Sequence, residues 1–166
     1  MDNQPRYNPQ AYSKFFADSA AMRPPVPGTV PRGWLRDDIE YYTGFDKNGN
    51  PVEKSPVPID MKLLRRGQER FNIYCSPCHS RLGDGKGIMV QRGYIPPPSF
   101  HEERVRQFPD GHFFDVITHG IRNMPSYKDQ IPIADRWAII AYIRALERSQ
   151  NATIEDVPPE LRKSIR

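Results

Sequence analysis

The pentapeptide Cys75-Ser76-Pro77-Cys78-His79 limits what this chain can fold into more than any other stretch. Two thiols spaced by two residues can each add across one haem vinyl group, and the histidine that follows is delivered to the iron face as a nitrogen ligand. These are the only two cysteines in the chain, so none is left for a disulfide or for a second pair that would complete a zinc site. A bare Cys-x-x-Cys would equally suit dithiol redox chemistry. His79 turns the reading to one covalently held haem c.

Composition narrows the rest. The length of 166 residues allows one domain with tails. A hydrophobic share of 37% with 18 prolines is thin for that length, so part of the chain is expected not to pack on itself. The net charge of +4 is unevenly placed. Residues 1–59 carry seven Lys/Arg against seven Asp/Glu, and residues 149–166 three against three. The excess therefore lies in 60–148, where it can steer an acidic partner. No run of basic residues interleaved with aromatics marks a nucleic-acid surface. No apolar stretch is long enough for a transmembrane helix. The opening Met1-Asp2-Asn3-Gln4-Pro5 is not a secretory signal, although haem c is attached outside the cytoplasm, so an export signal is expected to have preceded this chain.

Residues 1–59 hold half of the prolines and read as an extended, Pro-rich N-terminal arm. Its aromatics, Phe15-Phe16, Trp34, Tyr41-Tyr42 and Phe45, suit an arm that docks on a partner rather than a free linker. Asp46-Lys47-Asn48-Gly49-Asn50 carries the Asn-Gly signal of a small hairpin. Residues 60–148 read as an all-α haem domain. Asp60 caps a helix whose stripe Leu63, Leu64, Gly67, Phe71 and Tyr74 runs into Cys75, and Gly67 in mid-helix predicts a close backbone approach. Gly83-Asp84-Gly85-Lys86-Gly87 predicts a tight turn rather than a phosphate loop. A Ser99/Glu102 capping box predicts a short helix to Gln107. Pro109-Asp110 opens another, stopped by Gly120. Pro132 to Arg148 forms the last, apolar at its centre. Residues 149–166 read as a C-terminal tail.

His79 supplies one axial ligand. For the other, Met22, Met61, Met89, Met124, His101, His112 and His119 are available. Met124, between two predicted helices and stiffened by Pro125, is preferred, with His119 its rival. His/Met ligation leaves no open coordination site and raises the reduction potential over bis-His, so electron transfer is expected and no catalytic site of the chain's own. The carbonyl of Pro97 or Pro98 could accept from the other ring nitrogen of His79, and Trp137 could pack on the haem.

An amphipathic helix with Gly67 and Phe71, the Cys75–His79 motif, a Pro-rich loop, Met124 and an aromatic last helix together resemble a class I cytochrome c. The resemblance implies a crossing of the first and last helices near the haem, with Met124 opposite His79. A closer one involves Phe15-Phe16-Ala17-Asp18, Arg23 to Val30, Arg70 to Cys75, Val90 to Gly93, Phe113 to Ile117 and Asp135 to Leu146. These resemble the monohaem cytochrome c subunit of bacterial alternative complex III, a membrane quinol:electron-acceptor oxidoreductase. That resemblance implies a peripheral subunit on the periplasmic side of the cytoplasmic membrane. It would take electrons from a multihaem cytochrome c subunit and pass them to a soluble cytochrome c or terminal oxidase. Such subunits are typically lipid-anchored, here through a segment absent from this chain. The alternative is a free periplasmic class I shuttle.

Overall fold

The computed structural model describes residues 4–165; Met1-Asp2-Asn3, on which the reading of the chain's start partly rests, lie outside them. The chain divides into two compact units, Met1–Arg36 and Asp37–Arg166.

Within the first unit the described residues have no helix. A short antiparallel bridge joins Tyr12 to Ala20, closed by Ser13 N–H to Ser19 O at 2.9 Å and Ala21 N–H to Ala11 O at 3.0 Å. Arg23 lies over the Phe16 ring, 4.2 Å from its centroid, and pairs with Asp18 at 2.7 Å. The larger apolar side chains are spread over the surface: Tyr7, Tyr12, Phe15, Val26, Val30, Trp34 and Leu35 are all exposed.

The second unit is helical, and its described residues contain isolated bridges but no strand. Its helices are α1 Ile39–Thr43, α2 Met61–Tyr74, α3 Ser76–His79, α4 Ile88–Gln91, α5 Glu103–Arg106, α6 Asp110–His119 and α7 Ile133–Gln150. Two 3₁₀ turns follow, Ile154–Asp156 and Arg162–Ser164. Asp60 caps α2 as expected, its side chain accepting from Leu63 N–H at 2.7 Å.

The fold is organised by the crossing of α2 and α7. A β-carbon on Gly67 would stand 1.9 Å from the carbonyl oxygen of Ala138 and 2.9 Å from Cβ of Tyr142. Only a residue without a side chain lets the two backbones meet there. Beside the crossing, Phe71 is fully buried and its ring meets Tyr142 edge-on at 5.4 Å. Asp135, at the start of α7, accepts from Arg66 at 2.7 and 2.9 Å and pairs with Arg70 at 3.2 Å. One buried carboxylate on α7 thus takes two guanidinium groups from α2. The core between these helices and α6 is Phe71, Phe100, Phe113, Phe114, Ile117, Trp137, Ile139, Ile140 and Ile143.

The boundary expected at residue 59 lies instead at residue 36. Residues 37–59 belong to the helical unit because they answer polar groups that unit would otherwise bury unpaired. Tyr41 O accepts from Trp137 Nε1 at 2.8 Å, Asp110 Oδ2 from Ser55 N–H at 2.8 Å, and Val52 O from Gly111 N–H at 2.9 Å. Val52 is itself buried, and Tyr41 and Val57 pack on the core. The Asn-Gly turn forms as read: Phe45 bridges Pro51, and the Asp46 carboxylate accepts from the N–H groups of Asn48 and Asn50, both at 2.8 Å. Those bonds hold its pKa below the usual carboxylate range.

Two smaller corrections concern helix ends. Glu102 reaches back to Ser99 N–H at 3.1 Å, but the Ser99 hydroxyl takes the His101 N–H at 3.2 Å, so the capping box closes on one side only. The helix therefore starts later, with Glu102 as its cap. Residues 149–166 are not a plain tail either. Arg148 bonds the Asp156 carboxylate, which also accepts from Thr153 N–H at 2.7 Å, and this folds the first 3₁₀ turn back on the end of α7.

A candidate haem site

α2 ends by handing its last turn to the motif. Cys75 is the C-cap of α2, its N–H bonded to Phe71 O at 2.9 Å, and α3 follows at once. Cys78 N–H and His79 N–H both reach Cys75 O, at 3.2 and 2.9 Å. One helical turn therefore holds both thiols and the imidazole, at i, i+3 and i+4, on one rigid frame. Ser80 then takes a left-handed φ of 61°, and its hydroxyl bonds Asp84 at 2.5 Å.

The glycine-rich turn wraps the motif and satisfies its carbonyls. Gly85 N–H donates to His79 O at 3.1 Å and Gly87 N–H to Cys78 O at 3.0 Å. Gly85 has a φ of +77°, and a β-carbon there would lie 2.3 Å from the Pro97 carbonyl oxygen. Conformation and space both demand glycine. His79 Nδ1 is buried without a hydrogen-bond partner, and the Pro97 carbonyl lies close against Gly85. The His79 ring stacks on Phe100, with centroids 4.6 Å apart and planes 13° apart.

Burial dominates the electrostatics. It pushes the Cys75 thiol up to about 12, with the Cys78 sulfur adding to the shift, and brings His79 down to about 4. At neutral pH the imidazole is therefore uncharged and its nitrogen lone pair is free to ligate a metal. Tyr127 is raised by burial and then by Cys75 and Cys78, and its ring meets Tyr74 edge-on at 6.4 Å.

Met124 lies between α6 and α7, half-buried and packed on the same core as Tyr74, Cys75 and Tyr127. Its backbone pairs with Ile121 in both directions, at 2.9 and 3.0 Å. Among the competing candidates, the three histidines have contacts of their own, and Met89 is half-buried in α4. His119, with 64% of its side chain exposed, bonds Asp115 at 2.7 Å on its own helix. His101 bonds Leu82 O at 2.7 Å, and His112 packs on Phe108 at 4.4 Å. Met22 belongs to the other unit, and Met61 is exposed. Trp137 has no exposed surface: its ring stacks on Phe114 at 4.5 Å and its N–H is taken by Tyr41 O.

Two thiols, a neutral imidazole with an unanswered buried nitrogen, and a thioether in the same core fit a haem c. Phe100 and Tyr127 were not found from sequence. Phe100 is an isolated aromatic after a proline run, while Tyr127 follows Met124-Pro125-Ser126 closely enough that its place beside the motif could have been inferred.

Comparison with known proteins agrees at the level of the domain. The family described as "Cytochrome C oxidase, cbb3-type, subunit III" matches residues 62–143. No curated protein sequence matches the chain. Among solved structures, a chain of the reducing HAO-like protein complex of Kuenenia stuttgartiensis is similar at 21% identity and a TM-score of 0.47, over 55% of this chain and 47% of that one. The match thus spans about half the length of that protein. Residues 62–143 form a cytochrome c domain with the class I fold, and such a domain binds haem c and transfers electrons. Among the described residues no helix is long and apolar enough to cross a membrane.

Proposed function

We propose that the chain is an electron-transfer subunit of a membrane quinol:electron-acceptor oxidoreductase of the alternative complex III type. It carries a single haem c held by Cys75 and Cys78, with His79 and Met124 as axial ligands. A haem so held supplies reversible one-electron exchange without an open coordination site. The protein's part is to bind and shield it. α3 presents the thiols and imidazole, Phe100 backs the imidazole, and the loop before α7 carries the thioether. The working face is periplasmic, with electrons arriving from a multihaem cytochrome c and leaving to a soluble carrier or terminal oxidase.

The observation that carries the complex-bound reading is the first unit. Residues 4–36 leave Phe15, Trp34 and Leu35 at 84, 65 and 63% exposure, which an isolated soluble carrier gains nothing from. Such rings suit burial against a partner. The test is native purification from the source membrane, with haem staining and identification of co-purifying subunits, for the full chain and for a deletion of residues 1–36. Co-purification with a multihaem cytochrome that the deletion abolishes supports the reading. A freely soluble haem protein, or unchanged assembly of the deletion, favours the periplasmic shuttle instead.

A further inference from the structure

The segment between α6 and α7, residues 120–132, carries Met124 and has no regular structure beyond the Ile121–Met124 bridge. Its carbonyls need donors from outside any helix or sheet. One side chain provides them for two of these carbonyls, Lys128 O and Ile131 O. Arg136, 6% exposed in the first turn of α7, donates from Nε to Ile131 O at 2.9 Å and from Nη2 to Lys128 O at 2.7 Å. Its Nη1 reaches Thr118 Oγ1 at 3.0 Å, and its guanidinium lies 5.5 Å from the Phe114 ring centroid.

Thr118 extends the same network. Its hydroxyl donates to Phe114 O at 2.6 Å, and its carbonyl accepts from Ser126 Oγ at 2.6 Å, while Tyr127 N–H bonds Ile117 O at 3.0 Å. The end of α6, the Met124 segment and the start of α7 are thus closed around one buried cation. Burying a guanidinium is costly unless its fork is well occupied. Its planar geometry reaches three oxygens at once, which a lysine or an apolar residue of the same length cannot do. Arg144, eight residues further along α7, is the contrast. Its fork serves Asp110, Glu147, Arg106 O and Phe108 O, none of them in residues 120–132.

We infer that Arg136 is the positioning residue for Met124. Its fork fixes residues 120–132 in advance, and so sets how fully the thioether ligates the iron and where the reduction potential lies. This rests on the reading of Met124 as the axial ligand. A thioether on a loose segment must lose that segment's freedom on each encounter, whereas a pinned one has already lost it.

The test uses the full-length haem-loaded protein with Arg136→Gln, Arg136→Lys, Arg144→Gln and Met124→Ala. In Arg136→Gln the amides of Met124, Tyr127 and Ile131 should exchange about tenfold faster or more. The Met–iron charge-transfer band and the potential should fall towards those of Met124→Ala. Arg136→Lys should lie between, and keeps the test decisive if the Gln variant does not fold. Arg144→Gln should lower the melting temperature yet keep band and potential. The inference is overturned if the Arg136 variants keep both, whatever their stability. If Met124→Ala leaves band and potential unchanged, the ligand assignment itself has failed. The exchange rates then still decide separately whether Arg136 pins the segment.

Discussion

Replacing Gly67 by alanine sets two effects of opposite sign against each other. In an exposed helix interior the change would stabilise by about 1 kcal/mol through propensity. At the α2–α7 crossing the new methyl would stand 1.9 Å from Ala138 O and 2.6 Å from the Ala138 carbonyl carbon. Close C···O contacts begin near 3.3 Å, so the helices must part by about 1.4 Å. Both obstacles are main chain, so no rotamer change can yield. A gap of that size forfeits half or more of the dispersion energy of atoms it separates, and Phe71 and Tyr142 stand next to it. Overpacking at the upper end of the usual range, about 3 kcal/mol, less the propensity gain, leaves a net loss of about 2 kcal/mol. For a unit of this size that corresponds to a fall in Tm of roughly 6–10 °C. Thermal unfolding of the haem-loaded protein, followed by far-UV circular dichroism, reads it directly. A Gly67→Ala protein that melts at or above the wild-type temperature would refute the crossing.

Three further outcomes follow from the structure. Deleting residues 1–36 should leave the melting temperature within a few degrees of wild type, whereas deleting 1–59 removes Val52 and the partners of Trp137 Nε1 and Gly111 N–H and should cost several kcal/mol. Asp110→Ala strands the Ser55 N–H and one arm of the Arg144 fork, and should destabilise by about 3–5 kcal/mol in denaturant unfolding. Burial raises the Glu147 carboxyl against the pull of Arg144. Its folded pKa thus exceeds its unfolded one, and its contribution is full below about pH 4.5 and lost as pH rises through the folded value. Wild-type stability should therefore decline relative to Glu147→Gln above pH 4.5, by at most about 1.4 kcal/mol per pH unit. A flat difference between the two would remove that assignment.

What could be read from the sequence was what is local. The Asp60 cap, the stripe through Phe71, the Gly120 stop and the Asn48-Gly49 turn each follow from neighbouring residues, and the structure keeps them. Gly67 was legible because a mid-helix glycine is costly without a reason, and the Ala138 carbonyl is the reason. Residues 37–59 were misjudged because their ties are distant and made by main chain: Tyr41 O, Ser55 N–H and Val52 O leave no trace in side-chain pattern. Prolines there mark an extended path, and an extended path can lie on a core as readily as leave it. The close approach of the Pro97 carbonyl to Gly85 is likewise a distant main-chain contact with no trace in side-chain pattern. Nothing in the sequence separates Arg136 from any other charge in a helical first turn. Only the fold shows its fork closing on Lys128, Ile131 and Thr118.

The central claim is an iron closed on both faces, by His79 and by Met124. It is tested most directly by the visible spectrum and redox titration of the purified haem-loaded protein beside Met124→Ala. The wild type should show the Met–iron charge-transfer band and a potential well above that of the variant, which loses the band. An unchanged band and potential in Met124→Ala would contradict the assignment and reopen the choice of ligand.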